Sequence, residues 1–171
     1  MPKPAEIEQK QKERIHRLLN RGAQLLNQGL AREAMPYLQR AHQLDKENVP
    51  ALINLAGAHI MTGRHKEAIP LLEAAREREP DNAMVWINLG AAYLGNPILA
   101  TPEQQMRAIA AFQRAIELNP SAPSVHYNLG LIFVDRQEID LAIAAFRQAT
   151  MVNPTDRDAH SWLRKLEASE G

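Results

Sequence analysis

The side chains of this sequence that could bind a metal ion or carry out acid–base chemistry include six histidines, which are His16, His42, His59, His65, His126 and His160. Two histidines of one helix bind zinc when they stand four residues apart, as in the HExxH pattern. No two of these histidines have that spacing. Cysteine is absent, which excludes disulfides, thiol catalysis and cysteine-based metal sites. The sequence therefore predicts neither a metal site nor a cofactor.

Motifs of nucleophilic or phosphate chemistry are missing as well. The sequence contains no G-x-S-x-G, P-loop or Rossmann pattern. The carboxylates of Asp156 and Asp158 stand near the start of a predicted helix, where they suit capping and the helix dipole. We predict that the protein has no catalytic residues and is not an enzyme.

Four asparagines form a different pattern, one in each of four similar segments. They are Asn20, Asn54, Asn88 and Asn128. A carboxamide is both donor and acceptor, so such a row is able to hydrogen-bond the backbone of an extended peptide. The alternative is that these side chains bond within the scaffold, and the sequence leaves both possibilities open.

Composition limits the partners. The chain of 171 residues carries 20 Lys and Arg against 20 Asp and Glu, so its net charge gives no reason to expect nucleic acid or an anionic membrane as a partner. Its first residues are charged and lack the apolar core of a signal peptide. No apolar run approaches the roughly 18 residues of a membrane span. We expect a cytoplasmic protein with no membrane insertion.

The elements that position these residues repeat along the chain. Asn20, Asn54 and Asn88 are each 34 residues apart, and so are Pro120 and Pro154. The spacing from Ala68 to Ala108 is 40, so the third copy contains six additional residues. Apolar residues at helical spacing, interrupted by glycine, indicate two helices in each copy.

This pattern resembles the tetratricopeptide repeat family. The motif residues are Trp86, Leu89, Gly90, Tyr93, Ala108, Phe112, Ala115 and Pro120 in one copy, and Leu129, Gly130, Phe133, Ala142, Phe146, Ala149 and Pro154 in the next. The resemblance implies an all-α, right-handed superhelix of four repeats, 15–48, 49–82, 83–122 with the six-residue insertion, and 123–156. Residues 1–14 are predicted as a charged helical extension, and 157–171 as a capping helix and tail.

The first helix of each repeat carries a second apolar stripe, opposite the one that meets its own second helix. It reads Leu19-Ala23-Leu26, Ile53-Gly57-Ile60, Ile87-Ala91-Leu94 and Tyr127-Leu131-Val134. The resemblance implies that such positions line a concave groove. An uncharged groove of this size is larger than a monomer normally exposes. The alternative is that close approach of small residues partly buries the stripe.

The predicted interaction site combines this stripe with the asparagines. Its residues are Leu19, Asn20, Leu26, Ile53, Asn54, Ile60, Ile87, Asn88, Leu94, Tyr127, Asn128, Leu131 and Val134. Candidate occupants are a peptide or amphipathic helix of another protein, a second copy of the chain, or its own N-terminal extension. The leading hypothesis is a non-catalytic protein-interaction scaffold. The alternative is an assembly protein that forms homo-oligomers through the groove or the solenoid ends.

The insertion at 95–104 is the irregular feature. Thr101-Pro102-Glu103-Gln104 has the form of a capping box, which predicts that a helix begins there. Ile98 and Leu99 then fall on a loop. They are expected either to pack back onto a neighbouring helix or to form a second contact point for a partner.

Overall fold

The computed structural model describes residues 4–97 and 99–169. Within those ranges the chain forms nine helices joined by short turns. They are α1 (Pro4–Asn27), α2 (Ala31–Leu44), α3 (Val49–Met61), α4 (His65–Arg78), α5 (Ala83–Leu94), α6 (Pro102–Leu118), α7 (Pro123–Asp135), α8 (Ile139–Val152) and α9 (Arg157–Ser169). The all-α architecture is the one predicted, and α1 packs with α2, α3 with α4, and α7 with α8.

The chain divides into two compact units, Met1–Ala92 and Tyr93–Gly171. The first, here called the N-terminal unit, contains α1 to α4 and most of α5. The second, the C-terminal unit, begins with the last two residues of α5 and continues through α9.

The turn within a helix pair is closed by backbone geometry. Gly29 and Gly63 take φ values of 77° and 76°, and Gln137 takes the same left-handed conformation at the equivalent place with φ 59°. Each is followed by an N–H that reaches back into the preceding helix, such as that of Leu30, 2.9 Å from the Leu25 carbonyl. Satisfying these carbonyls ends the first helix and turns the chain toward the second.

Small residues allow the paired helices to approach closely. Two alanines of each second helix are fully buried at 0% exposure, and together they are Ala34, Ala41, Ala68, Ala75, Ala108, Ala115, Ala142 and Ala149. Glycine plays the same role on two first helices. A Cβ added at Gly130 would lie 2.7 Å from the ring of Phe146, and one added at Gly22 would overlap the Leu38 side chain. The repeated small residues are therefore core positions.

The N-terminal extension is part of α1, which runs without a break from Pro4 to Asn27. Residues 5–14 are all exposed, and burial begins at Ile15. The Gln11 side chain donates to the Leu44 carbonyl at 2.9 Å. Because the described part of the extension buries none of its residues, it does not cover an apolar face of its own unit.

The helix α9 closes the C-terminal unit. Ala159 and Leu166 are buried, while Trp162 and Leu163 are half-buried and pack against the cluster around Phe146. The Trp162 and Phe146 rings are stacked, with centroids 5.8 Å apart and planes at 4°. A helix that covers the last repeat in this way gives its core a capped end.

The predicted capping box of α6 is confirmed. The Thr101 hydroxyl accepts from the Gln104 N–H at 3.3 Å, and the Gln104 side chain accepts from the Thr101 N–H at 2.9 Å. Pro102 occupies the first turn, where a missing N–H costs no helical hydrogen bond. Ile98 lies outside the described residues. Leu99 is 76% exposed, so the expectation that it packs back onto a helix is wrong.

Candidate protein-interaction surface

The first helices of the N-terminal unit have one closed side and one accessible side. On α3, Leu52 and Ala56 face the core at 1% and 0% exposure. On the other side of α3, Ile53 and Ile60 are half-buried. Gly57 lies between them, and a Cβ added there would meet no atom within 4 Å. The space beside this stripe is therefore open.

We call the accessible apolar residues of the N-terminal unit the open stripe. Its members are uncharged, half-buried and distributed over α1, α3 and α5; they are Leu19, Ala23, Leu26, Ile53, Gly57, Ile60, Ile87 and Ala91. Leu19 and Leu26 also pack against the core cluster that contains Leu38 and Leu55. The stripe thus joins the core below and leaves part of its apolar surface accessible to solvent.

Leu94 departs from the predicted site. Its sequence spacing places it with Ile60 and Val134, but its side chain is only 2% exposed. A side chain that is already buried offers no surface to a partner. Leu94 is therefore a core residue, and its assignment to the interaction surface is wrong.

The corresponding residues of the C-terminal unit lie around a hollow. Tyr127, Leu131 and Val134 line a cavity of about 350 Å³, together with Pro97 and the indole of Trp162. Tyr127 also meets Phe146 edge to face, with ring centroids 5.7 Å apart. Three residues of the sequence-predicted site are thus brought to one concave, largely apolar place.

Polar groups form the rim of this hollow. The carboxylate of Asp135 lines it and accepts a hydrogen bond from the buried Gln105 side chain at 2.6 Å. Burial raises the pKa of the Tyr127 hydroxyl, and the carboxylate of Asp158 raises it further. Tyr127 therefore remains a neutral hydroxyl at physiological pH.

The four asparagines do not share one environment. Asn20 is exposed, and its amide lies 3.0 Å from the His16 ring. Asn54, Asn88 and Asn128 are half-buried, and within the described part of the chain their side chains make no hydrogen bond. These three amides keep donor and acceptor capacity that a partner is able to use.

Sequence reasoning missed a hydrogen bond that recurs near the start of three helices, α5, α7 and α9. The ring nitrogens of Trp86, His126 and His160 lie 2.6, 3.1 and 3.0 Å from the carbonyls of Pro80, Pro120 and Pro154. The signal was present in the sequence, because in each case a ring that carries an N–H follows a proline by six residues. His126 and His160 therefore serve the scaffold.

The other histidines form no metal centre in the part of the chain that is described. No group of three His, Cys, Asp or Glu side chains there is arranged to hold an ion. The Nδ1 atoms of His42, His59 and His65 are buried without a hydrogen-bond partner. Burial lowers the pKa of His42 and of His59, which are therefore uncharged at neutral pH. None of the described helices has the length and hydropathy needed to cross a membrane.

Known proteins match the chain over most of its length. Two models of the tetratricopeptide repeat match residues 25–93 and 105–163. The solved structure of TTC0263, a thermophilic TPR protein of Thermus thermophilus, is 25% identical, with 92% of this chain and 83% of that one covered and a TM-score of 0.77. No curated protein sequence matches significantly.

Two more distant structures show the same fold. MamA is 24% identical, with 88% of this chain and 84% of that one covered and a TM-score of 0.69. YrrB, described as a TPR protein with an unusual peptide-binding site, is 22% identical, with 90% and 76% covered and a TM-score of 0.63. The repeated helix pairs and the buried small residues agree with these matches, and the chain belongs to the tetratricopeptide repeat family.

Proposed function

We propose that the chain is a non-catalytic, cytoplasmic interaction scaffold that binds a peptide or helical segment of another protein. The observation that carries the proposal is the accessible apolar surface on the first helices. In the N-terminal unit Ile53, Ile60 and Ile87 are half-buried on the open stripe. In the C-terminal unit Leu131 and Val134 line a hollow. These side chains are large, and a partner that covered them would bury apolar area that now meets water.

Covering the apolar area of this surface contributes free energy to binding. Removing apolar area from water contributes about 25 cal/mol per Å². Covering about 300–400 Å² therefore yields several kcal/mol before the costs of ordering the partner. Membership of the tetratricopeptide repeat family supports a scaffold role, and the peptide-binding site named for YrrB supports a peptide as the occupant.

The half-buried asparagines add hydrogen bonds to this proposal. Asn54, Asn88 and Asn128 present amides that bond no described side chain or backbone group. A carboxamide is able to pair with a peptide N–H and C=O together, whatever the peptide's side chains are. In the proposed complex the apolar contacts on each unit supply most of the affinity, and the amides of that unit fix the direction of the segment bound there.

The test uses one charged substitution in each unit. Ile60→Glu and Val134→Glu place a carboxylate on the accessible surface, where it would have to lose its water when a partner covers it. Leu94 is unsuitable for this purpose, because a charge at a buried position would damage the fold. Met151→Glu is the matched control, since Met151 is 71% exposed on α8.

The measurement is affinity capture from native lysate by the wild-type chain and by each variant, followed by mapping of the bound segment. We expect the double variant Ile60→Glu/Val134→Glu to lose the captured segment and Met151→Glu to keep it. If the double variant folds and keeps every partner, the proposal is wrong. Light scattering at several concentrations is run in parallel. Self-association that the double variant abolishes would identify a second copy of the chain as the occupant instead.

A further inference from the structure

The hollow of the C-terminal unit has the size of a side-chain pocket. Its volume of about 350 Å³ is at the lower end of the range of ligand pockets, roughly 300–1,000 Å³. Its walls are the rings of Tyr127 and Trp162 and the aliphatic side chains of Leu131 and Val134. The two rings are held in place by Phe146, which stacks on one and meets the other edge to face. A pocket with fixed aromatic walls suits one large apolar side chain.

One carboxylate lines this pocket, and two others act on one of its walls. Asp135 is exposed on its rim, and among the described residues its carboxylate is hydrogen-bonded by the uncharged amide of Gln105. Asp156 caps α9 by accepting the backbone N–H groups of Asp158 and Ala159 at 3.1 and 3.0 Å. The charges of Asp156 and Asp158 both raise the pKa of the Tyr127 hydroxyl, and Tyr127 is one of the residues that line the hollow.

The Asp135 carboxylate has no cation bonded to it among the described residues. Arg136 follows Asp135 in the sequence, but its guanidinium is 2.7 Å from the carboxylate of Glu138. Lys165 lies over the Trp162 ring, 5.3 Å from its centroid. Within the described residues no ion pair joins a lysine or arginine to Asp135, Asp156 or Asp158. Asp135 is therefore the carboxylate that lines the hollow, and the ammonium group of Lys165 is a cation that lies over one of its walls.

We propose that the hollow receives one large apolar side chain of the partner segment and that a lysine or arginine beside it in that segment is bound by the Asp135 carboxylate. This inference rests on the proposed function and specifies the chemistry of the occupant. A partner with an acidic residue at that place meets like charge at the rim, and electrostatic repulsion of this kind excludes wrong partners. The C-terminal unit thus selects apolar–basic segments over apolar–acidic ones.

The probes are three synthetic peptides with blocked termini that share a central tryptophan in an otherwise uncharged sequence. The tryptophan is flanked by two lysines in the first, two glutamines in the second and two glutamates in the third. Fluorescence anisotropy of the labelled peptides with the full chain measures their dissociation constants. We expect the lysine peptide to bind about three- to fivefold more tightly than the glutamine peptide for each exposed charge pair formed, and the glutamate peptide to bind most weakly.

Two variants of the chain test whether the order of the three peptide affinities is caused by the charges at the rim of the hollow. Asp135→Asn keeps an acceptor for Gln105 and removes the charge, so it should reduce the preference for the lysine peptide about three- to fivefold. Lys165→Gln removes the opposing ammonium and should increase that preference. Equal affinities for the three peptides, an unchanged preference in Asp135→Asn, or a lysine peptide that binds more weakly than about 1 mM would each overturn the inference.

The failure of this inference is distinguishable from that of the proposed function. Val134→Glu tests whether the peptides use the hollow at all, with Met151→Glu as the control. If Val134→Glu weakens all three peptides equally and the wild-type chain shows no charge order, the inference fails and the proposed surface stands. If native partners are retained by Ile60→Glu/Val134→Glu, the proposed function itself fails.

Discussion

Gly57 on α3 and Gly130 on α7 stand at neighbouring positions of the repeat, because Gly130 is equivalent to Ala56. One of the two glycines faces open space, and the other faces a packed ring. A Cβ at Gly130 would lie within 2.7–2.9 Å of three Phe146 ring atoms, whereas a Cβ at Gly57 would meet nothing within 4 Å. Real Cβ atoms essentially never approach another atom within 3.0 Å, so Gly130 is required by packing. Gly57 is not.

The contrast separates two kinds of apolar surface that look alike in composition. The side of each first helix that meets its second helix is sterically filled, as the 0% exposure of Phe146 and Ala56 shows. The opposite side also carries large apolar residues, including Ile60 and Val134, but these are only half-buried. Packing on the filled side stabilises the fold, and the accessible side is the apolar surface that remains available to a partner.

The largest effect is expected when the filled side loses its central ring. Phe146→Ala removes a fully buried aromatic that contacts both Tyr127 and Trp162. We expect the free energy of unfolding to fall by about 3–5 kcal/mol. Urea denaturation measures it, and Met151→Ala on the same helix should change stability by no more than about 0.5 kcal/mol. A loss below about 1 kcal/mol for Phe146→Ala would mean that this side is not tightly packed.

A single methyl group at Gly130 should have the next largest effect. Gly130→Ala pushes against the Phe146 ring, which is itself held between two other rings and has little freedom to shift. We expect a loss of about 1–3 kcal/mol in the free energy of unfolding. Unchanged stability would show that the ring moves freely and that Gly130 is not a packing requirement.

The same methyl group at Gly57 should change stability in the opposite direction. Gly57 is inside a helix and the space beside it is open, so alanine gains helix propensity without a clash. We expect Gly57→Ala to stabilise the chain by about 0.5–1 kcal/mol in the same urea experiment. Destabilisation here would mean that the α3 stripe is closed, and it would remove the distinction between the two sides.

A smaller effect should follow a change of pH. Burial lowers the pKa of His59 and His42 below the usual value of 6.5, so the unfolded chain takes up these protons first as the pH falls. The stability that the neutral rings contribute is complete above pH 6.5 and declines below it. We expect a lower urea midpoint at about pH 5.5 than at about pH 7.5, with a smaller difference in His59→Gln. An equal difference in that variant would exclude His59 as a cause.

The 34-residue period of the sequence was sufficient to predict which residues are buried on the filled side. The alanines spaced by 34 residues, such as Ala34 and Ala68, are all fully buried, because a small residue that recurs at one helical position marks where two backbones approach. The capping box at Thr101 was also readable, since it depends on residues only three apart. Local chemistry and a fixed period both act without knowledge of the tertiary structure.

The accessible side was less predictable. The period assigns Leu94 to the same face as Ile60, but it does not say how far the rest of the chain covers that face, and Leu94 is buried. Gln137 adopts a positive φ, which cannot be predicted from its residue type because glycine is the residue that favours this conformation. The hollow at Trp162 depends on how α9 packs against α8, which no repeat spacing encodes.

Methyl NMR tests the central claim most directly. The chain, labelled at isoleucine, leucine and valine methyls, is titrated with the segment recovered by affinity capture. We predict that the methyl signals of Ile60, Leu131 and Val134 shift on binding, while those of Leu141, which is exposed on α8, do not. Shifts of Leu141 with the signals of Ile60, Leu131 and Val134 unchanged would contradict the account.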